Sequence, residues 1–342
     1  MRDNDSATDT ATIAVSSPGA PVTASPVTAA PETRQPPKTP EAAEIPEAAG
    51  TGPAHGTPAG RGALLAALGV AAFSLTFPAT AWALEGMGPW TVVMLRSVLA
   101  TVLAGGALAV FRVRLPERRH WLGIAVVTGG VVLGFPLLTT LALQTSTTSH
   151  AAVVVGLLPL TTAAFSAVRT GARPSRTFWI ASLVGAAVVI GFAVQQSGGA
   201  PGRGDLLLFG SLLVCAAGYT EGGRLARHMP GWQVMGWALV LALPVTVTGA
   251  ALALSAEPLR LTVHSVGGVL WLAFGSQFLG MVAWYRGMAA IGISKASQLQ
   301  LAQPLLTLLW SVLLLGERLP PAAPAAALAV LACIAVTQRT RG

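Results

Sequence analysis

Ser149–Arg173, SHAAVVVGLLPLTTAAFSAVRTGAR, returns about 145 positions later as Ser294–Arg318, SKASQLQLAQPLLTLLWSVLLLGER. Without a gap, Ser149, Ala151, Pro159, Leu160, Thr162, Ser166, Gly171 and Arg173 fall on Ser294, Ala296, Pro304, Leu305, Thr307, Ser311, Gly316 and Arg318. Two apolar helices often share leucines by chance. They do not often share proline, threonine, serine, glycine and arginine in register. A fainter echo sets Met87 and Trp90 on Met229 and Trp232 at a slightly smaller shift. The chain from residue 61 onward is therefore a duplication, with a first repeat over 61–198 and a second over 203–338.

Crossing a bilayer takes about 20 mostly apolar residues. Each repeat offers five such runs: Gly62–Leu84, Trp90–Phe111, Trp121–Leu143, Ser149–Val168 and Thr177–Val194, then Leu206–Thr220, Trp232–Leu254, Val266–Met288, Ser294–Leu315 and Ala322–Val336. Because five is odd, the second repeat enters the membrane upside down relative to the first. The expected fold is an all-α membrane protein of ten transmembrane helices in two inverted-topology five-helix repeats. Arginines fix the orientation independently, since cytoplasmic loops retain Lys and Arg. With the N-terminus inside, the inner connections hold Arg112, Arg114, Arg118 and Arg119, then Arg169, Arg173 and Arg176, Arg224 and Arg227, Arg286 and Lys295, and last Arg339 and Arg341. The outer ones hold Arg203, Arg260 and Arg318. Both termini are predicted to be cytoplasmic, with the chain multi-pass in the plasma membrane.

Composition agrees: 53% of residues are hydrophobic and 10% charged, too apolar for a soluble domain of this length. The net charge of +8 comes from basic residues scattered singly between apolar runs, which gives no continuous basic face for nucleic acid. Residues 1–60 differ, being rich in proline, alanine and threonine. They are predicted to form a disordered cytoplasmic tail, because they cannot bury enough apolar surface to offset the entropy of ordering. Cys215 and Cys333 sit alone in apolar runs without metal-ligand spacing, so no metal or other cofactor is implied.

The sequence resembles the EamA-like branch of the drug/metabolite transporter superfamily. The resemblance rests on the isolated arginine of VVMLRSVLATVL (Arg96), on SHAAVVVGLLPL with Pro159, and on SKASQLQLAQPLLTLLWSVLLLGERL with Pro304, Gly316, Glu317 and Arg318. It covers roughly Gly62 to Val336. It implies a secondary transporter working by alternating access, often an exporter of metabolites, amino-acid-like solutes or drugs, with a small-molecule solute and the bilayer as partners. A homodimer stays open. The rival classes are a membrane-embedded enzyme acting on a lipid-soluble substrate, and a channel. The first lacks a polar constellation, with Asp205 the one Asp of the apolar region, and the second lacks charged rings. No residue is expected to be catalytic.

Polar side chains inside a membrane are costly and turn toward a bundle interior. Gln300, Gln303, Thr307 and Ser311 recur at helical spacing beside Pro304, as either a cavity lining or a set of interhelical hydrogen bonds. Gln277 and Trp284 of the eighth run, Ser74 and Phe77 of the first, and Tyr219 of the sixth are the other solute-contact candidates. Pro78, Pro136, Pro159 and Pro304 each free a backbone carbonyl for a ligand or a hinge. Gly130 and Gly134 are expected at a close helix contact. Arg96 lies about two turns below the outer surface, where it is expected to pair with Glu317, or else Glu85, as part of an outer gate. Glu221 is expected on Arg224 three residues on, and His150 at a span end open to solvent.

Overall fold

The structure, a computed structural model, describes residues 59–170, 175–196, 202–291, 299–300 and 302–339. The stretch predicted as a disordered tail lies outside them, apart from its last two residues, and so does Lys295. Every regular element among the described residues is helical, apart from a single antiparallel bridge between Met87 and Leu259. Among the described residues, eight helices are long and apolar enough to cross a membrane: α1 (Gly60–Leu84), α2 (Pro89–Val110), α3 (Arg118–Ala142), α4 (Thr148–Arg169), α5 (Trp179–Gln196), α6 (Arg203–Leu225), α7 (Gly231–Ala256) and α8 (Val263–Gly287). Two shorter apolar helices follow, α9 (Ala302–Leu315) and α10 (Ala322–Arg339).

The outside of the bundle is apolar. Val102, Leu122, Val168, Leu183, Leu213 and Val263 all stay more than half exposed, which only a lipid solvent tolerates in such number. Inside, many of the fully enclosed side chains are small, including Ala66, Ala83, Ala100, Ala193, Ala216, Ala238 and Ala242. Lipid tails are as apolar as leucine, so helices in a membrane gain little from burial as such and associate by close van der Waals approach, which small residues permit. A side chain at Gly130 would strike the Val214 carbonyl and Gly218 of α6. Gly134 also abuts Val214, so the close contact expected of this glycine pair is the α3–α6 seam.

Packing repeats along with the sequence. The partnership of α3 with α6 has its counterpart in that of α8 with α1, α4 with α6 in α9 with α1, and α2 with α8 in α7 with α3. The matched helices α2 and α7, α4 and α9, and α5 and α10 also pack directly on each other. At one end of the bundle the start of α2 meets the end of α7, and the start of α4 meets the end of α9. The matched helices of these two pairs therefore run antiparallel. That end carries Glu85 and is called the Glu85 end below; the opposite one, with Glu221, is the Glu221 end.

Three spans are interrupted mid-length. In α1 the regular helix breaks at Leu75, just before Pro78. Proline supplies no N–H to the carbonyl four residues earlier, so the Ser74 oxygen is left free. In α3 and α8 the backbone widens into π-helix over Thr128–Gly134 and Trp271–Gly280. A π turn brings residue i against the carbonyl of i−5. In both segments that contact joins two glycines, Gly134 over the Gly129 carbonyl and Gly280 over the Gly275 carbonyl. These glycine pairs stand 146 positions apart, so the widened turn was duplicated with the repeat.

Candidate functional site

At the Glu85 end, the helices α2, α4, α6 and α8 are among those that begin, each with backbone N–H groups that have no partner within the helix. At α2 the first residue is Pro89, which has no N–H, and the next two donate to one carboxylate, Trp90 N to Glu257 Oε1 (3.2 Å) and Thr91 N to Glu257 Oε2 (2.8 Å). Gly88 makes room, because a Cβ there would collide with Glu257. At α4, Thr148 N and Ser149 N donate to Glu317 (2.8 and 3.0 Å), and His150 N donates to Thr147 Oγ1 (3.2 Å). At α6, Asp205 Oδ2 accepts from Gly202 N (2.8 Å). At α8, Thr262 and Ser265 cap each other through side chain and backbone. Glu257 and Glu317 belong to the second repeat and the helices they cap to the first. Arg260 N also crosses between repeats to the Gly86 carbonyl (2.6 Å), and His264 Nδ1 lies 2.9 Å from Glu85 Oε2, with its ring stacked on Trp82.

These contacts correct the pairing expected for Arg96. Glu317 is presented to the bundle, as the turn at Gly316 (φ +65°) allows, but it is spent on the start of α4. Glu85 is spent on His264. A helix N-terminus offers a carboxylate two directed N–H donors and the positive end of the helix dipole at no cost in side-chain reach. Arg96 would have had to be drawn out of its span to compete. His150 is a second correction, because it is 7% exposed rather than open to solvent. Its Nε2 lies 2.6 Å from Asp205 Oδ1, and its ring stacks on Phe192.

Beneath the sealed end, polar groups from α1, α2, α8 and α9 gather in the interior. Arg96 and Gln277 are each 5% exposed, and Arg96 Nε donates to Gln277 Oε1 at 2.9 Å. Next to Gln277, Ser276 Oγ shares a hydrogen bond of 2.8 Å with Thr76 Oγ1, just past the break in α1. The Ser74 carbonyl freed by Pro78 accepts from Thr307 Oγ1 at 2.9 Å, while Trp310 Nε1 donates to Ser74 Oγ at 2.9 Å. Of the predicted residues, Arg96 thus meets Gln277 and Thr307 meets Ser74, as two separate pairs. Thr307 serves a helix contact, whereas Ser311 Oγ donates back to Leu308 O within its own helix. Gln300 and Gln303 are half-buried along α9 and its approach.

The aromatic candidates divide. Phe77 is 6% exposed and belongs to an apolar core with Val154, Leu157 and Leu212, so it is a packing residue. Trp284 packs edge-on to Phe73 and against Gly69, and thereby ties α8 to α1. Tyr219 is 37% exposed on α6. Ser276, Thr76 and Trp310 were not singled out from the sequence. Their partners lie up to 236 positions away, and no local pattern marks them. Toward the Glu221 end, Glu221 holds Arg224 (2.7 Å), as expected, and reaches Arg169 of α4 (3.4 Å). A cleft of about 380 Å³ opens among the loops of the Glu85 end, lined by Glu85, Gly88, Gln144, Glu257 and Arg260, and does not include the interior cluster.

The profile of the EamA-like transporter family matches this chain twice, over residues 60–194 and 202–338. An uncharacterized transporter of Bacillus subtilis (strain 168), YdeK, is 43% identical over 275 residues, spanning 80% of this chain and 95% of its own. An uncharacterized transporter of Haemophilus influenzae is 28% identical over 140 residues, spanning 38% of this chain and 81% of its own. One solved structure, described as the crystal structure of a protein, aligns with a TM-score of 0.59 at 19% identity and covers 82% of this chain and 99% of its own, a likeness of fold.

Proposed function

Since the chain belongs to the EamA-like transporter family, a family of multi-pass membrane transporters, we propose that it is a ten-span secondary carrier that moves a small organic solute across the plasma membrane by alternating access. The observation that carries this reading is the contrast in depth between a polar cluster enclosed among α1, α2, α8 and α9 and the end above it, closed by hydrogen bonds that cross from one repeat to the other. A carrier needs a site reachable from one side at a time, and seals that join the two repeats break when one repeat rocks against the other. The helix breaks at Leu75 and in the two π segments are where the spans bend.

In this reading α9 and α10 complete the ten spans, both termini are cytoplasmic, the basic loops of the Glu221 end face inward, and the Glu85 end faces outward and is closed. Export is the favoured direction, from the resemblance to exporters. The reading is of a carrier and not of an enzyme or channel.

Two measurements test it. A periplasm-dependent reporter fused after Gly342 is expected to stay silent, and activity there would sink the ten-span topology. Purified protein in proteoliposomes, assayed for uptake and efflux of a solute panel with and without a pH gradient, is expected to give saturable flux. Unsaturable flux would favour a channel, and chemical conversion of a solute an enzyme.

A further inference from the structure

We propose that Arg96 and Gln277 form the subsite that takes the carboxylate of a singly charged organic solute, an inference that rests on the carrier reading above. The pair is built from donors. Gln277 Oε1 is committed to Arg96 Nε, which fixes the amide and leaves its nitrogen to donate elsewhere. That nitrogen, Nε2, is buried and has no hydrogen-bond partner. The bond to Gln277 is the one that Arg96 makes among the described residues, so its two terminal nitrogens still have hydrogens to donate. The ion pairs of the described residues do not include Arg96.

An amide nitrogen shielded from water without an acceptor, beside a buried guanidinium that makes one hydrogen bond, is an unfavourable arrangement for a resting protein. A carboxylate remedies it, since its two oxygens match the fork of the guanidinium and can also accept from the nearby amide. The charge selects a monoanion, because Arg96 is the one Arg or Lys among the buried described residues. A dianion such as a phosphate monoester would leave a net negative charge in the interior, at the cost that keeps ions out of membranes. One residue before Gln277 on α8, Ser276 Oγ is bonded to Thr76 Oγ1, so hydroxyls stand on the same stretch of the span.

The test uses the full chain in detergent and three carboxylates, benzoate, isovalerate and N-acetyl-leucine, each against its uncharged carboxamide. The readout is the concentration that raises the unfolding temperature. For at least one pair the carboxylate is expected to act at a concentration on the order of tenfold lower than its amide. Gln277→Glu places a carboxylate of the protein's own on Arg96. This variant is expected to fold with wild-type or higher stability and to lose the preference for carboxylates. Arg96→Lys, which keeps the charge but not the fork, is expected to weaken carboxylate binding while folding normally. Equal responses to acid and amide in all three pairs, including no response to either, would overturn the proposal, as would a preference that survives Gln277→Glu. If the preference is absent yet proteoliposomes carry some solute, the subsite falls and the carrier stands. If the preference is present and follows Gln277→Glu but no solute is carried, the subsite stands and the carrier falls.

Discussion

The two ends of one long side chain's reach are treated in opposite ways. At the Glu85 end, each of Glu85, Glu257, Glu317 and Asp205 has a donor. A few turns below, Arg96 and Gln277 have each other and little else. The sequence places negative and positive groups in the same half of the membrane, and simple charge pairing would join them. The fold instead gives Glu257 and Glu317 to helix N-termini, where two N–H groups wait at a fixed distance, and Glu85 to His264, while the guanidinium bonds an amide.

The comparison breaks first at Asp205 if it is wrong. Asp205→Ala would strip a buried histidine of its carboxylate and the first turn of α6 of its cap. A cost of about 3 kcal/mol in unfolding free energy is expected, measured by thermal or denaturant unfolding in detergent. A loss no larger than that of an exposed alanine substitution would mean that the seal is not under load.

Next come Glu257→Gln and Glu317→Gln, which keep one accepting oxygen but remove the charge facing a helix dipole. Each is expected to cost about 1 kcal/mol. Because the two cap different helices, their effects should add, and the double variant tests this directly. Marked non-additivity would show the two caps to be one cooperative latch, which would sharpen the picture of closure.

Smallest of all should be Arg96→Met, in which an apolar stem of similar length replaces a cation without a counter-ion. Stability without ligand is expected to stay within about 1 kcal/mol of wild type, because removing an uncompensated buried charge offsets the lost bond to Gln277. A drop as large as that of Asp205→Ala would show Arg96 to be structural and would level the contrast between the two regions.

Part of the site was legible from residue type alone. A lone arginine in an apolar span is too costly to be idle, so Arg96 stands out in any reading of the chain. Gln277, Ser74 and Thr307 stand out for the same reason. Phe77, an aromatic solute-contact candidate of the first span, fills a core instead, because an aromatic side chain carries nothing in the sequence to tell packing from contact. His150 looked solvated, since its position at a span end is visible whereas Asp205, 55 residues away, is not.

By itself the sequence determined the duplication, the apolar spans and the family, because each is a matter of period, length and composition along one dimension. A membrane solvent makes that strong, as every span must close its own backbone hydrogen bonds and can do so only as a helix. Which carboxylate meets which donor was decided by the tertiary structure alone. Helices separated by as many as 179 positions come end to end there, and the winner is the donor at the shortest reach and best angle, a quantity that distance along the chain does not encode.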